Sequence, residues 1–491
     1  MRIQTLKHIM LGGLMISVAA CETTSREGPP SADSDDLGGV VVAEEIVVTG
    51  APPPPPPPPP HAEPVMSEPL AMMGSTGLAT ERLERSSPME MAVGEARSEK
   101  VRPDMPVPIE AEQPPVQSGL LTAGDYDDVL NPDLYKAYLD KVLQGSLGEL
   151  DLPFVDANQR IEIQIIDRLG KAVPLAKISL RDADGKPVFP LRTGADGKAY
   201  LFPNYDELEP GMVVTASVDG SRPISQPLSD AVIETGGILT FDLSLDRAVP
   251  QKLDLLLTLD ATGSMSDEMQ YLQAELVAIL DRVRSRQPDL DIRAGFIVYR
   301  DDGDDYVVRE VAFSNDLDAF KTALGDQAAQ GGGDMPEAMH EALGRGLDFE
   351  WRDDAVKINL LVADAPPHNR HIEASWKSGL ISRSRGIHIV SLAASGIDDR
   401  AEFMMRALSQ LTNARYLFLT DDSGVGLPHA EPTVDCYVVT RLDQLVERVV
   451  ASLVTGQRVE PEGADVIRTV GDYRNGVCEV APEPQTEDEV S

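Results

Sequence analysis

The sequence predicts an α/β protein: a doubly wound, mostly parallel sheet preceded by a small antiparallel β-sandwich and a disordered N-terminal region. Three observations carry this. Between 249 and 457, buried-strand runs such as KLDLLLTLD, IRAGFIVY and VKINLLVAD alternate with stretches of helical periodicity, the pattern of a parallel sheet with right-handed crossovers. Between 151 and 248, short runs such as RIEIQIID, AKISLRD, GKAYLFP, MVVTASVD and ILTFDLSL alternate apolar and polar positions around Asp-Gly turns, the pattern of antiparallel strands. From 21 to 118 no hydrophobic period is sustained, so too little apolar surface is available to offset the entropy of ordering.

The elements follow in chain order. Residues 1 to 20 carry Arg2 and Lys7 before an apolar stretch too short to span a bilayer, which reads as a secretory signal peptide. Val18, Ala19 and Ala20 before Cys21 resemble a bacterial lipobox; the resemblance implies cleavage before Cys21 and lipidation of its thiol. The segment 21 to 118 is a Pro-rich linker with nine consecutive prolines, Pro52 to Pro60, a polyproline II rod of about 28 Å at roughly 3.1 Å per residue. Residues 119 to 150 form a short helical segment, with Leu134, Tyr138, Leu139 and Val142 on one face and Pro132 near its start, expected to dock on the β-sandwich domain that follows. In that domain, Asp182, Asp184 and Asp196 are explained by hairpin-turn geometry without calcium.

Composition bounds the partners. The chain has 43 basic and 81 acidic residues, a formal charge of −38, which repels nucleic acid and anionic headgroups and favours cations. The only cysteines besides Cys21 are Cys436 and Cys478, and in an exported chain they are expected to pair and tie the tail, 458 to 491, to the preceding domain.

The stretch that organises the chain is KLDLLLTLDATGSMS, 252 to 266. Its apolar run reads as a strand buried on both faces, so its polar loop sits at the strand's carboxyl end, where open α/β sheets bind ligands. Asp260, Thr262 and Ser264 on this loop offer one carboxylate and two hydroxyls, an all-oxygen set suited to a hard cation such as Mg²⁺, Ca²⁺ or Mn²⁺. GGGDMPEA, 331 to 338, places Asp334 on a glycine-rich loop before a helix with Pro336 in its first turn, and VKINLLVAD ends at Asp364.

DATGSMS resembles the Asp-x-Ser/Thr-x-Ser signature of von Willebrand factor A domains, whose fold is Rossmann-like. GGGDMPEA, VADAPPH and YRDDGDDY are similar to segments of a subgroup that includes the hemicentin-type domains, and the β-sandwich resembles a carboxypeptidase-regulatory or transthyretin-like module. The resemblance implies a metal-ion-dependent adhesion site held by Asp260, Thr262, Ser264, Asp334 and Asp364, with a protein partner supplying the last ligand. Asp334 departs from the family, where Thr is common at this place. Three carboxylates around a divalent cation leave the site formally at −1, a poorer electrophile for a partner's Asp or Glu.

Other constellations are set aside or left open. His368 and His371, with Glu373, follow Pro366 and Pro367 and read as a loop entering a helix, not a zinc helix. Asp301, Asp302, Asp304 and Asp305 read as a solvated hairpin tip or a second cation site. No phosphate-binding loop, nucleophile elbow or nicotinamide fingerprint occurs, and no spare general base accompanies the metal residues. The expectation is a non-enzymatic, lipid-anchored protein of the bacterial cell envelope, periplasm-facing or at the cell surface, that binds a protein partner through a divalent cation. The alternatives are a metal-assisted hydrolase and a metal-indifferent scaffold.

Overall fold

The computed structural model describes residues 116–244, 249–333, 335–424, 429 and 432–479. The expected signal peptide, Cys21, the linker up to residue 115 and Asp334 lie outside the described residues. Among the described residues no helix is long and apolar enough to cross a membrane.

The chain enters through β1 (Thr122–Tyr126) and α1 (Pro132–Gln144). Pro132 starts the helix where a missing N–H costs nothing. Seven strands follow: β2 (Ile161–Ile166), β3 (Lys177–Arg181), β4 (Pro187–Arg192), β5 (Lys198–Leu201), β6 (Val213–Ser217), β7 (Ile224–Pro227) and, after the short α2 (Asp230–Thr235), β8 (Gly237–Asp242). They make a three-stranded sheet, β5-β2-β8, and a four-stranded sheet, β4-β3-β6-β7. One apolar cluster draws on both, including Ile163, Ile178, Val214 and Phe241. In the turn after β3, the Asp182 carboxylate accepts the N–H groups of Asp184 and Lys186, so the turn explains this aspartate.

The second half alternates strand and helix: β9 (Lys252–Asp260), α3 (Met269–Arg286), β10 (Asp291–Tyr299), β11 (Val308–Ser314), α4 (Leu317–Gly325), α5 (Met339–Gly346), β12 (Val356–Ala363), α6 (Ile372–Arg385), β13 (Ile387–Ala393), α7 (Asp399–Leu411), β14 (Tyr416–Thr420), β15 (Tyr437–Arg441), α8 (Leu442–Thr455) and β16 (Arg468–Val470). With β1 they build a nine-stranded sheet in the order β11-β10-β9-β12-β13-β14-β1-β15-β16. The block β10-β9-β12-β13-β14 is parallel, and β11 closes one edge antiparallel to β10. Leu253, Leu255, Leu257 and Leu259 of β9 face one core cluster and Leu256 the other, so apolar burial on both faces holds β9 at the centre.

Three expectations are corrected here. The segment before the helix is a strand, and it belongs to the large sheet: β1 pairs antiparallel with both β14 and β15. Its sequence, TAGDY, hides this because Gly124 weakens the strand signal, yet a Cβ there would meet the Phe418 ring at 2.7 Å, the close approach that glycine permits. The second correction concerns α1, whose Tyr135, Tyr138 and Leu139 pack with Trp376, Phe403 and Met404 of α6 and α7 as well as with Phe202. It docks on helices of the large sheet as well as on the segment that leads into β2, through Val155 and Ala157. Third, the sheet continues past 457, because β16 pairs with β15.

Buried ion pairs fix the entry segment. Asp128 meets Arg406 at 2.7 Å, Asp125 meets Arg415 at 3.1 Å, and one Glu275 oxygen accepts the N–H groups of Gly119, Leu120 and Leu121. Cys436 and Cys478 form a disulfide that closes a separation of 42 residues. Replacing both by alanine should destabilise the chain by roughly 2–4 kcal/mol, the entropic worth of a loop of that size. Urea unfolding of the oxidised parent and the double variant measures it; equal midpoints would show that β16 holds the tail unaided.

Candidate metal centre

Asp260 ends β9 at the middle of the sheet and is fully buried. Parallel register sets it opposite Tyr299 on β10 and pairs Leu259 with Val362 on β12, so Asp364, just beyond β12, emerges at the neighbouring strand tip. The loop after Asp260 folds back on it: the Thr262 N–H and hydroxyl donate to Asp260 Oδ1 at 2.9 and 2.7 Å. Thr262 Oγ1 and Ser264 Oγ lie 3.1 Å apart. The predicted Asp, Thr and Ser set thus converges, with Asp364 as its neighbour across the sheet.

The glycine-rich loop closes the other side. Gly263 N–H donates to the Gly331 carbonyl at 3.0 Å, and Gln330 N–H to the Ala261 carbonyl at 2.9 Å. Gly332 has φ +73°, and a Cβ there would press on Glu337 Oε1 at 2.9 Å and on Thr262 Cβ at 3.2 Å. Glycine is needed here for both backbone sign and contact. Pro336 does not open a helix, since α5 begins only at Met339. The intervening residues bridge instead to the loop after β12, with the Glu337 N–H donating to the Pro366 carbonyl at 2.9 Å.

Glu337 is the site residue that sequence reasoning missed. It is 3% exposed, and its Oε2 is buried with no hydrogen-bond partner among the described residues. Burial, then Asp260 and Asp301, push its carboxyl up to about 9. Asp260 is driven well above the ordinary carboxylate range by burial and then by Asp364. Its Oδ2 is also buried, and the Tyr299 hydroxyl stands beside it without closing a well-formed hydrogen bond. The signal for Glu337 was its position three residues after Asp334 in GGGDMPE, which was read as helix.

The same strand supplies a contrast. Asp254, at the other end of β9, is equally buried but meets Arg293 Nη2 at 2.8 Å and accepts the Arg352 N–H at 2.7 Å and its Nε at 2.9 Å. Asp260 has carboxylates where Asp254 has guanidinium groups. Donor chemistry at this tip is oxygen throughout, of the kind that holds Mg²⁺, Ca²⁺ or Mn²⁺.

The flanking motifs behave otherwise. Asp301 is buried and pairs with His368 at 2.7 Å, while exposed Asp302 pairs with Arg370 at 2.8 Å. Ligand atoms of Asp301, Asp302 and His368 lie within 4.8 Å of one another. Asp304 accepts the N–H groups of Asp301 and Gly332, so the hairpin tip braces the glycine loop and is not merely solvated. His371 lies edge-on to His368, with ring centres 6.3 Å apart, and stacks on His340 at 3.7 Å between ring centres.

Residues 254–428 match the family model of the von Willebrand factor A domain. The chain carries such a domain. A stretch of 117 residues is 29% identical to the alpha-protein kinase vwkA of Dictyostelium discoideum, covering 24% of this chain and 19% of that protein. Another of 121 residues is 32% identical to a putative ariadne-like RING finger protein, R811, of Acanthamoeba polyphaga mimivirus, covering 24% and 11%. The chain therefore spans under a fifth of the length of either relative. Among solved structures, BatB from Bacteroides thetaiotaomicron is 12% identical over 41% of this chain and 98% of that one, at a TM-score of 0.30. The pilus adhesin SpaC of Lactobacillus rhamnosus GG, in its open conformation, is 12% identical over 50% and 31%, also at 0.30. The A domain takes its first strand from β9, and β1, β15 and β16 extend its sheet.

Without metal, Glu337 releases its proton far above its ordinary 4.5, so between about 4.5 and 9 the folded chain binds more protons than the unfolded one and stability falls as pH rises. Urea melts in chelator at about pH 5, 7 and 9 should show that fall, and Glu337→Gln, which keeps the shape without titrating, should make it shallower and leave the part due to Asp260. An unchanged slope in the variant would remove Glu337 from the cluster.

Proposed function

We propose that the A domain binds a protein partner through a divalent cation, Mg²⁺ or a similar hard ion, held by Asp260, Thr262, Ser264, Asp364 and Glu337. Asp334 belongs to the ligand set by its place in the GGGDMPE motif. The observation that carries this is the contrast along β9: Asp254 is neutralised by two arginines, whereas Asp260 is buried among acids with Oδ2 unpartnered. A divalent ion supplies the charge this tip lacks, because a buried carboxylate is stable only when paired or metal-bound. The reading is one of binding, not of catalysis.

The acid content of the cluster also constrains the partner. With more carboxylates than the ion has charges, another carboxylate would add repulsion. The open position suits a neutral oxygen, such as an amide carbonyl or a hydroxyl. Cys21 and the polyproline rod support a lipid-anchored envelope protein in which the spacer carries the folded part away from the membrane. We read the seven-stranded unit as a carboxypeptidase-regulatory or transthyretin-like module, on its two sheets and shared core, and the A domain as hemicentin-like, on YRDDGDDY and VADAPPH.

Thermal melts test the ion. Wild type should gain about 2.7 kcal/mol at a hundredfold excess of Mg²⁺ over its dissociation constant. Asp260→Ala should gain nothing, and its metal-free form should be no less stable than metal-free wild type, because the change relieves repulsion. Equal metal shifts in both proteins would place the ion elsewhere. Affinity capture from envelope extract, with Mg²⁺ and with chelator, tests the partner: a protein retained by wild type only with Mg²⁺, and not by Asp260→Ala, is the expected result. Retention indifferent to both would favour the scaffold.

A further inference from the structure

At the opposite, amino-terminal end of the parallel strands, a cleft of about 690 Å³ opens between the outer face of β3 and β6 and the start of β12. That volume lies in the range of small-molecule sites, which concentrate where two folded parts meet. Its charge sets it apart. In a chain with 81 acidic and 43 basic residues, the cleft is lined by five basic side chains against two acidic ones.

Two of those cations, Arg192 and Lys357, share one carboxylate, Asp353, and Arg385 adjoins them. Lys357, at the start of β12, is 4% exposed; its Nζ donates to the Arg385 carbonyl at 3.1 Å and comes no nearer than 3.9 Å to Asp353. Asp353 is already taken by Arg192 at 3.1 Å. Arg385 spends one guanidinium nitrogen on the Leu347 carbonyl, at 2.7 Å. Burial, and next the Arg192 charge, hold the Lys357 amine down to about 8. Positive charge packed in this way calls for an anion. On the facing wall Lys177, paired with Asp219 at 2.7 Å, and Arg181 flank Ser179 along β3, Ser217 and Thr215, the latter bonded to Ser225 at 2.9 Å, add hydroxyls from β6, and Trp351 lines the side formed by the A domain.

We propose that this cleft binds a sugar-sized oxyanion, a hydroxylated ring bearing a carboxylate or a phosphate. Arg192, Lys357 and Arg385 meet the anionic group, the hydroxyls of Ser179, Thr215 and Ser217 meet those of the ring, and Trp351 offers an apolar face. Guanidinium groups suit both oxyanions, so the two sources are separated by experiment.

Isothermal titration of the full chain in low salt, with glucuronate, glucose 6-phosphate, inorganic phosphate and glucose as probes, tests this. At least one of the two acidic sugars should saturate and glucose should not; the acid that binds identifies the anionic group. Whichever it is should bind about tenfold more tightly than inorganic phosphate, since only a sugar reaches the hydroxyl wall. Lys357→Met should weaken it about tenfold. Arg385→Gln, a change at an exposed position, should weaken it about threefold, and it decides the matter if Lys357→Met does not fold. Asp260→Ala should bind as wild type does, which separates this cleft from the metal centre. Saturation by neither acidic sugar, equal binding of glucose or of inorganic phosphate, or unchanged affinity in both cleft variants would overturn the proposal.

Discussion

Like charges buried together at the tip of β9 are the constraint on which the rest of the site depends. A strand covered on both faces cannot let its last residue reach solvent, so Asp260 is desolvated whatever the loop does. The parallel register then brings Asp364 beside it, and the return from Gly332 to Pro366 adds Glu337. In water such carboxylates repel weakly; in the interior the same separation costs several-fold more. The surrounding chain offers hydroxyls and backbone N–H groups, which orient the oxygens without neutralising them. Arg300, which follows Tyr299 in the chain, is turned to the carbonyls of Ala261 and Ala328 and organises the loops instead of answering the charge.

Sequence order and spatial order differ in a way that matters for folding. The seven-stranded unit is inserted between β1 and β9, so the large sheet is complete only when residues on both sides of the insertion meet. Thr122 pairs with Thr420 and Arg441, contacts across about 300 residues of chain, which are slow to form because the loop entropy precedes the reward. The buried pairs of Asp125 and Asp128 with Arg415 and Arg406 give β1 a charge pattern that fits one place. Breaking one partner of such a pair leaves an uncompensated charge, so these pairs specify where β1 sits more than they add net stability.

Much of the A domain was legible because its signals are local. The continuous apolar run of KLDLLLTLD, the helical spacing after it and the Asp-x-Thr-x-Ser loop all lie within one short stretch, and the disulfide followed from there being two cysteines to pair. What was not legible depended on distant partners. TAGDY has a single β-branched residue, Thr122, and a central glycine, so little nearby marks it as a strand; the reason for Gly124 is the Phe418 ring. The strands Pro187–Arg192 and Ile224–Pro227 are short, carry prolines and lie at the edges of their sheet, where proline is tolerated and the alternation is weak. Glu337 was hidden because Met-Pro-Glu reads as a helix start, and only the bridge to Pro367 shows the segment to be extended.

The two charged sites lie at opposite ends of β12, which begins beside the cleft at Lys357 and ends just before Asp364 in the acidic cluster. At about 3.3 Å per residue the seven steps between them span roughly 23 Å. With an effective dielectric of about 20, unit charges that far apart interact by only ~0.7 kcal/mol, roughly half a pKa unit. Occupation of one end therefore perturbs the other little through the field alone. Any stronger coupling has to travel through packing, and along this route the packing is a fully buried strand with parallel neighbours on both sides, which resists displacement. The architecture thus holds an acidic site and a basic cleft in one compact body without letting their charges cancel.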